Sequence, residues 1–369
     1  MTSLPFQPNL DDLDDELARR VRLTLSCRDA DPIPKVAGAG KLVTLNGADV
    51  QIMHNGVLIE RDCYQGPWMT ELIRCLQGHH EPQEELVFQR LVERLASESD
   101  ASMIELGCWW AYYSLWFGQA LPGAVVVAME PDPTLLETGR RNFELNHQTA
   151  TFVWGGIGAT DPLRFATEGS VDPLEVRGYD LRGLMRAGGL KQVSLVLVDI
   201  QGAETTFVEQ SLEQLRAGAV RFLILSTHHH SISGDPLTHQ RLLSTLRDLG
   251  AHVITEHSVG ESFSGDGLIA VSFDDRDRDL VVEVSRARQR DSLFGELEFE
   301  LAAAIASCQA TEARLVELRG HYDLTRQNLE AAMERLEATS AEVREMRQTK
   351  LWRLARGPRA IYRRVRRRG

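Results

Sequence analysis

Residues 102–146 read SMIELGCWWAYYSLWFGQALPGAVVVAMEPDPTLLETGRRNFELN. Two short apolar runs, Ser102–Leu106 and Ala124–Met129, flank a stretch of helical length, and the punctuation that follows them, Gly107 and Pro131, suits strand ends. A strand, a helix and a second strand in that order make a parallel pair with a crossover. The rhythm continues downstream, with strands expected at Thr151–Trp154, Val193–Asp199 and Val220–Ser226 and helices between most of them. Such alternation packs as a parallel sheet covered by helices. The last two runs, His252–Glu256 and Leu268–Phe273, are separated only by the loop SVGESFSGDG and predict an antiparallel hairpin.

Working outward, residues 1–80 read as an N-terminal arm with a small β extension. An acidic cluster (Asp11, Asp12, Asp14, Asp15, Glu16) precedes an amphipathic piece at Leu17–Leu25, and apolar runs between Asn46-Gly47 and Asn55-Gly56 predict hairpin turns. Residues 81–280 form the α/β domain, entered by a helix over Glu84–Ser97 and closed by the polar run Asp274–Asp279. From Leu293 glycine and proline nearly vanish, and residues 291–349 carry a heptad. Leu301, Cys308, Leu315, Tyr322, Leu329, Leu336 and Val343 repeat every seven residues, with Ala304, Thr311, Leu318, Thr325, Ala332, Thr339 and Met346 three further on. An uncharged seam of this kind predicts a coiled coil and a homo-oligomer. Residues 350–369 form a basic amphipathic tail.

The composition excludes several classes. The chain of 369 residues is 43% apolar and 25% charged, and no apolar run reaches the roughly 18 residues of a spanning helix. Five scattered cysteines without a CxxC spacing read as reduced thiols. The N-terminus lacks a basic flank and an apolar run, which points to the cytoplasm. Net charge is -12, yet the last twenty residues hold nine Lys or Arg and no acid, which leaves -21 on the rest. An acidic body repels nucleic acid. A tail that interleaves Trp352, Ile361 and Tyr362 with arginines suits peripheral attachment at the inner face of an anionic membrane.

In open α/β sheets ligands bind at the carboxyl ends of the strands, where strand order reverses. There Gly107 lets the backbone turn sharply, and the carboxylate of Glu130 can accept from both hydroxyls of a ribose. The stretch from Ile104 to Asn146, with LVLVDIQGAETTFVEQ further on, resembles the FkbM family of S-adenosylmethionine-dependent methyltransferases, many of which methylate hydroxyls of sugars. The sharpest matches are Glu130-Pro131, Asn142–Asn146 and Asp199–Glu204. The resemblance implies a class I methyltransferase sheet, Rossmann-like and mostly parallel with a terminal antiparallel hairpin. It also implies S-adenosyl-L-methionine as cofactor, cofactor contacts from Glu105, Gly107, Glu130, Asp199 and Glu204, and Asp199 and Glu204 near the transferring methyl. The first loop departs from the family, with Glu105 in place of Asp and Cys108, Trp109, Trp110 and Ala111 after Gly107. The two tryptophans either cover the adenosine, narrow the pocket or pack on the N-terminal elements.

The fifth strand ends in Thr227-His228-His229-His230. Methyl transfer to an alcohol removes the hydroxyl proton as the bond forms, and a histidine near neutral pH is a suitable base. Asp199 with His228, His229 and His230 is therefore the catalytic set, although in an extended segment at most two of the histidines share a side. A divalent ion on Asp199, His228 or His230, and His239 is the second reading and a structural histidine cluster the third; no metal is assigned. Ser262–Gly267 reads as a mobile lid. The expected function is O-methylation of a hydroxyl on a sugar or glycan intermediate in cell-surface polysaccharide synthesis. The rival is a catalytically weak scaffold that organises such an assembly through its coiled coil, and a nicotinamide enzyme is disfavoured because no GxGxxG follows a strand.

Overall fold

The computed structural model describes residues 13–158, 161–165, 174–287, 295–354, 357–359 and 362–363. Asp11, Asp12 and most of the tail arginines lie outside them. Two units result, 1–295 and 296–369. In the first, helix α1 (Asp15–Ser26) is capped by Asp14, which accepts from the amide of Leu17 at 2.8 Å. Strands β1 (Leu42–Leu45), β2 (Ala48–Ile52) and β3 (Leu58–Glu60) form an antiparallel sheet. Its first turn has Asn46 and Gly47 at φ of 52° and 86°, the geometry the sequence predicts. Helices α2 (Pro67–Cys75) and α3 (Pro82–Leu95) each begin with proline, whose missing amide costs nothing there.

The alternating region supplies β4 (Ser102–Leu106), α4 (Tyr112–Ala120), β5 (Val125–Glu130), α5 (Pro133–Leu145) and β6 (Thr151–Trp154). An insertion without a strong sequence signal adds short ribbons β7 (Gly156–Ile157), β8 (Leu163–Phe165), β9 (Leu174–Val176) and β10 (Gly178–Tyr179) before α6 (Leu181–Ala187). Then come β11 (Val193–Val198), α7 (Glu204–Arg216), β12 (Val220–Thr227), α8 (His230–Ser233), α9 (Thr238–Asp248), β13 (His252–His257) and β14 (Gly267–Ser272). The main sheet has the order β13-β14-β12-β11-β4-β5-β6. It is parallel except for β14, which runs antiparallel to both of its neighbours, so the predicted hairpin is present.

Both faces of the sheet are buried, which is why its strands read as unbroken apolar runs. Met103, Val126, Ala128, Leu195, Leu197, Phe222 and Ile224 face a core shared with α3, α4 and the N-terminal elements. Their neighbours Ile104, Val127, Met129, Val196, Val198, Leu223 and Leu225 face a second core with α6, α7 and α9. Residues 13–80 are thus part of the α/β body: Val21, Leu25, Met53, Leu72 and Ile73 sit in the first core. Asn142 on α5 and Asn146 at its C-cap, four residues apart, bind the β3 segment, accepting from the amides of Glu60 (2.9 Å) and Leu58 (2.8 Å). The run Asp274–Asp279 is not simply solvated. Asp277 is fully buried, paired with Arg221 (2.7 Å) and Arg94 (3.0 Å) and accepting from Ser272 Oγ.

The second unit holds α10 (Gly295–Gln348), 54 residues or roughly 80 Å at 1.5 Å per residue, and α11 (Lys350–Leu354). Leu301, Leu315, Tyr322, Leu329 and Leu336 are each at least 60% exposed, so the heptad seam is uncovered in the single chain. Thr311, Thr325 and Thr339 donate to the carbonyls four residues back at 2.8–2.9 Å, which satisfies their hydroxyls inside the helix. No helix among the described residues is long and apolar enough to cross a membrane.

Candidate active site

The carboxyl ends of β4, β5, β11 and β12 lie side by side, and strand order reverses between β4 and β11. At the end of β4 the amides of Gly107 and Cys108 both donate to Met129 O, at 2.9 and 3.0 Å. Gly107 has φ +79°, and a Cβ built on it would fall 1.7 Å from the carbonyl oxygen of Asp199. Only glycine fits between the two strand ends. The altered loop keeps a glycine-like path: Trp109 and Ala111, neither of them glycine, sit at φ of 40° and 57°. Side chains rarely adopt that region, so the surrounding contacts hold it against local strain.

Glu130 ties this loop to the next. It is 5% exposed and accepts from the amides of Trp109 (3.2 Å) and Asp132 (3.1 Å), one on each oxygen. Burial pushes its carboxyl up to about 7, against those two hydrogen bonds. Each oxygen keeps acceptor capacity for a ribose hydroxyl. Glu105 is also buried, where it accepts from the amide of Ser114 at 3.0 Å and is pushed up to about 8 by burial. It therefore supports the first turn of α4 from beneath the loop. The tryptophans pack on the N-terminal elements: Trp109 donates its indole N–H to Cys63 O at 3.1 Å, and Trp110 stacks on Tyr64 with ring centroids 4.6 Å apart.

Across the reversal point His228 is 3% exposed and sits among carboxylates. Its Nδ1 lies 2.8 Å from Glu204 Oε1, and its Nε2 lies 3.1 Å from Asp199 Oδ1 and 3.8 Å from Asp266 Oδ1. Burial works against the charge, but the Asp199 and Glu204 carboxylates hold this imidazole up at about 11. It is an imidazolium at neutral pH, so the base expected near neutrality does not lie in this ring. Glu204 Oε1 also accepts from the amides of Ile200 (3.3 Å) and Gly202 (3.1 Å), which places Glu204 beneath the loop as its anchor.

The other histidines are placed differently from the expectation for an extended segment, because β12 stops at Thr227. His229 is the N-cap of α8 and its Nδ1 lies 2.9 Å from Ser231 Oγ, while His230 opens that helix and is exposed. His239 is bound through Nδ1 to Thr227 Oγ1 (2.8 Å) and through Nε2 to Glu256 (3.2 Å). Both its nitrogens are engaged away from Asp199, so the Asp199–His228–His239 metal set is not assembled. The predicted lid is latched: Arg20 donates to Ser264 O (2.7 Å), Thr24 to Phe263 O (2.7 Å), and Gln83 accepts from the amide of Phe263 (2.8 Å).

Sequence reading missed the opposite wall. Glu81 accepts from Tyr113 OH at 3.3 Å and pairs with His80 Nε2 at 3.2 Å; Glu84 accepts from Ser226 Oγ at 3.0 Å. Tyr64 feels the charges of Glu81, Asp199 and Asp266. The string His79-His80-Glu81-Pro82 before a helix was the one available hint.

This sheet order and this ligand edge define a class I methyltransferase fold. A sequence model of the methyltransferase FkbM domain matches residues 96–253, so an S-adenosylmethionine-dependent methyltransferase domain of FkbM type occupies that part of the chain. Among solved structures, the chain is similar to the N-terminal domain of human METTL16 in complex with SAH, at 17% identity over 74% of this chain and 100% of that one, with a TM-score of 0.36. It is similar as well to M. capricolum TrmK in complex with S-adenosyl-homocysteine, at 11% identity over 52% and 74% of the two chains, with a TM-score of 0.31. No curated protein matches the sequence.

Proposed function

We propose that the domain transfers a methyl group to a hydroxyl of a sugar or glycan intermediate. The observation that carries this reading is the Asp199–His228–Glu204 array set across the strand-order reversal from Glu130. The residues present fit the cofactor: Gly107 turns the chain sharply at the end of β4, and the Glu130 carboxylate keeps acceptor capacity. Gly107 and Glu130 would hold it, and when bound it supplies an electrophilic methyl on a sulfonium. Asp199 receives the hydroxyl proton through its carboxylate. His228, as imidazolium, orients Asp199 and offsets its charge; Glu204 fixes His228 through Nδ1 and fixes the loop through two amides. Glu105 supports the cofactor loop from behind. His229 and His230 contribute to the shape of the rim and not to proton transfer.

The choice of a sugar hydroxyl and a role in polysaccharide synthesis rest on the family resemblance. In this reading α10 pairs with α10 of a second copy through its uncovered heptad seam, and the tail holds the dimer at an anionic membrane surface, where each basic residue adds about 1 kcal/mol. Calorimetry with S-adenosylmethionine, followed by the mass of surface glycans from cells lacking the protein, tests the function. Saturable heat and glycans lighter by one methylene per missing methyl are expected. An absence of heat leaves the scaffold reading in its place.

A further inference from the structure

We propose that α10 pairs with α10 of the second copy head to tail, with Tyr322 and Thr325 next to the two-fold axis, so that each basic tail lies beside the start of the partner's α10. The inference rests on the self-pairing reading above, and its test separates the two.

The seam consists of two unlike rows. Leu301, Leu315, Tyr322, Leu329 and Leu336 fill most of the first and are at least 60% exposed in the single chain. The second row, three residues further on, holds Ala304, Thr311, Thr325, Ala332 and Thr339, with Leu318 and Met346 as its long side chains. Its threonines spend their hydroxyls on carbonyls of their own helix, so they bring no unpaired donor to a partner. Covering the long side chains of both rows removes on the order of 800 Å² per copy, the size of a standard specific interface.

Direction follows from how those rows meet. In a parallel pair each row faces itself, so Leu–Leu and Tyr–Tyr layers alternate with Ala–Ala and Thr–Thr layers. Two helices at one spacing cannot fit both: either the narrow layers leave voids or the wide ones clash. An antiparallel pair sets the first row against the second. With all seven heptads engaged, Leu315 meets the partner's Ala332, Tyr322 the partner's Thr325, Leu336 the partner's Thr311 and Val343 the partner's Ala304. A large side chain then faces a small one, and the spacing stays even. Leu329 with the partner's Leu318 and Leu301 with the partner's Met346 are large pairs, and Cys308 with the partner's Thr339 is a small one.

The charges beside the seam pull weakly the other way. Antiparallel pairing brings Arg314 to the partner's Arg335 and Arg319 to the partner's Arg326, whereas parallel pairing sets Arg314 against the partner's Arg319 and joins Glu342 to the partner's Arg347. Exposed charges of this kind are screened by water and salt, and a void in a buried layer is not relieved, so packing sets the direction.

Cys308 reports on it. It is exposed in the single chain, whereas Cys27, Cys75 and Cys108 are buried. In the antiparallel register the two copies of Cys308 stand 31 residues apart along the pair, roughly 45 Å at 1.5 Å per residue, and each faces the partner's Thr339. The test treats the full chain with dibromobimane, a short bifunctional thiol reagent, after sedimentation velocity on the same sample. T339C is expected to give at least about tenfold more covalent dimer than the unaltered chain, and the C308S/T339C double variant to lose it. Covalent dimer from the unaltered chain that C308S removes shows parallel pairing and overturns the direction while the self-pairing reading stands. A sedimenting dimer that T339C does not cross-link overturns the register. A monomer by sedimentation overturns the self-pairing reading and the direction with it.

Discussion

Gly107 and Asp199 meet backbone to backbone: a Cβ on Gly107 would lie 1.7 Å from the Asp199 carbonyl oxygen, and the amide of Asp199 donates to Leu106 O at 2.9 Å. The cofactor turn and the end of the proposed catalytic strand are therefore one rigid joint. Gly107→Ala must either part the two strands or leave the left-handed conformation. A loss of about 2 to 4 kcal/mol in stability is expected, with cofactor binding lost in the folded fraction. Thermal melts with and without S-adenosylmethionine check this, and an unchanged melt would refute the joint.

With Glu130 as the proposed ribose acceptor, cofactor affinity is expected to depend on pH. Its carboxyl is raised to about 7 by burial, and only the ionised form accepts from both ribose hydroxyls. Affinity should rise as pH goes from 6 to 8. The stability of the unliganded domain moves the other way: an acid raised on folding favours the folded state at low pH, and that advantage is lost between about 4.5 and 7. Glu130→Gln should flatten the affinity profile, and Glu130→Ala should weaken binding by about 1.5 to 3 kcal/mol. Titration calorimetry at several pH values reads both effects.

In the proposed mechanism Asp199 takes the proton and His228 positions it, so their variants should differ. Asp199→Asn is expected to lower the chemical rate by about 10²- to 10⁴-fold with cofactor affinity little changed. His228→Gln should also destabilise the fold, because Glu204 is left buried without its cation. The His228 imidazole is raised from 6.5 to about 11, so its contribution to stability is complete below pH 6.5 and is lost as pH rises toward 11. The melting gap between variant and unaltered protein should therefore be widest near pH 6 and close at high pH. A gap that widens with pH contradicts the ion-pair assignment.

The heptad seam predicts self-association. Leu329→Asp combined with Leu336→Asp places charge on two positions that are at least 60% exposed in the single chain, so it should leave cofactor binding intact while abolishing the dimer. Sedimentation velocity of the full chain decides the matter; a monomer before mutation rules the seam out as a self-pairing surface.

The proposed membrane attachment through residues 350–369 is open to a direct test. Arg359 lies over the ring of Trp352, 3.7 Å from its centroid, a cation–aromatic pair suited to headgroup depth. Truncation after Thr349 should abolish flotation with anionic liposomes at low salt. Equal flotation of both forms would show that the tail is not the anchor.

What the sequence determined by itself was local periodicity. Apolar runs of strand length, helix-length spacers and the Asn46-Gly47 turn were enough for the parallel sheet, its terminal hairpin and the β extension, because each depends on residues near one another in the chain. Gly107 and Glu130 were legible for the same reason, since strand ends mark ligand edges in such sheets. Tertiary structure alone decided what those groups face. Asn142 and Asn146 matched a family motif, yet only the approach of β3 shows that they hold the N-terminal extension. His228, His229 and His230 were alike as candidate bases until the Asp199–Glu204 segment and Asp266 closed round His228. Glu81 had only the His79-His80-Glu81-Pro82 string to hint at it, and Glu84 had no local pattern. A side chain's protonation and partners depend on charges that are distant in sequence and adjacent in space, and the order of residues along the chain does not carry that information.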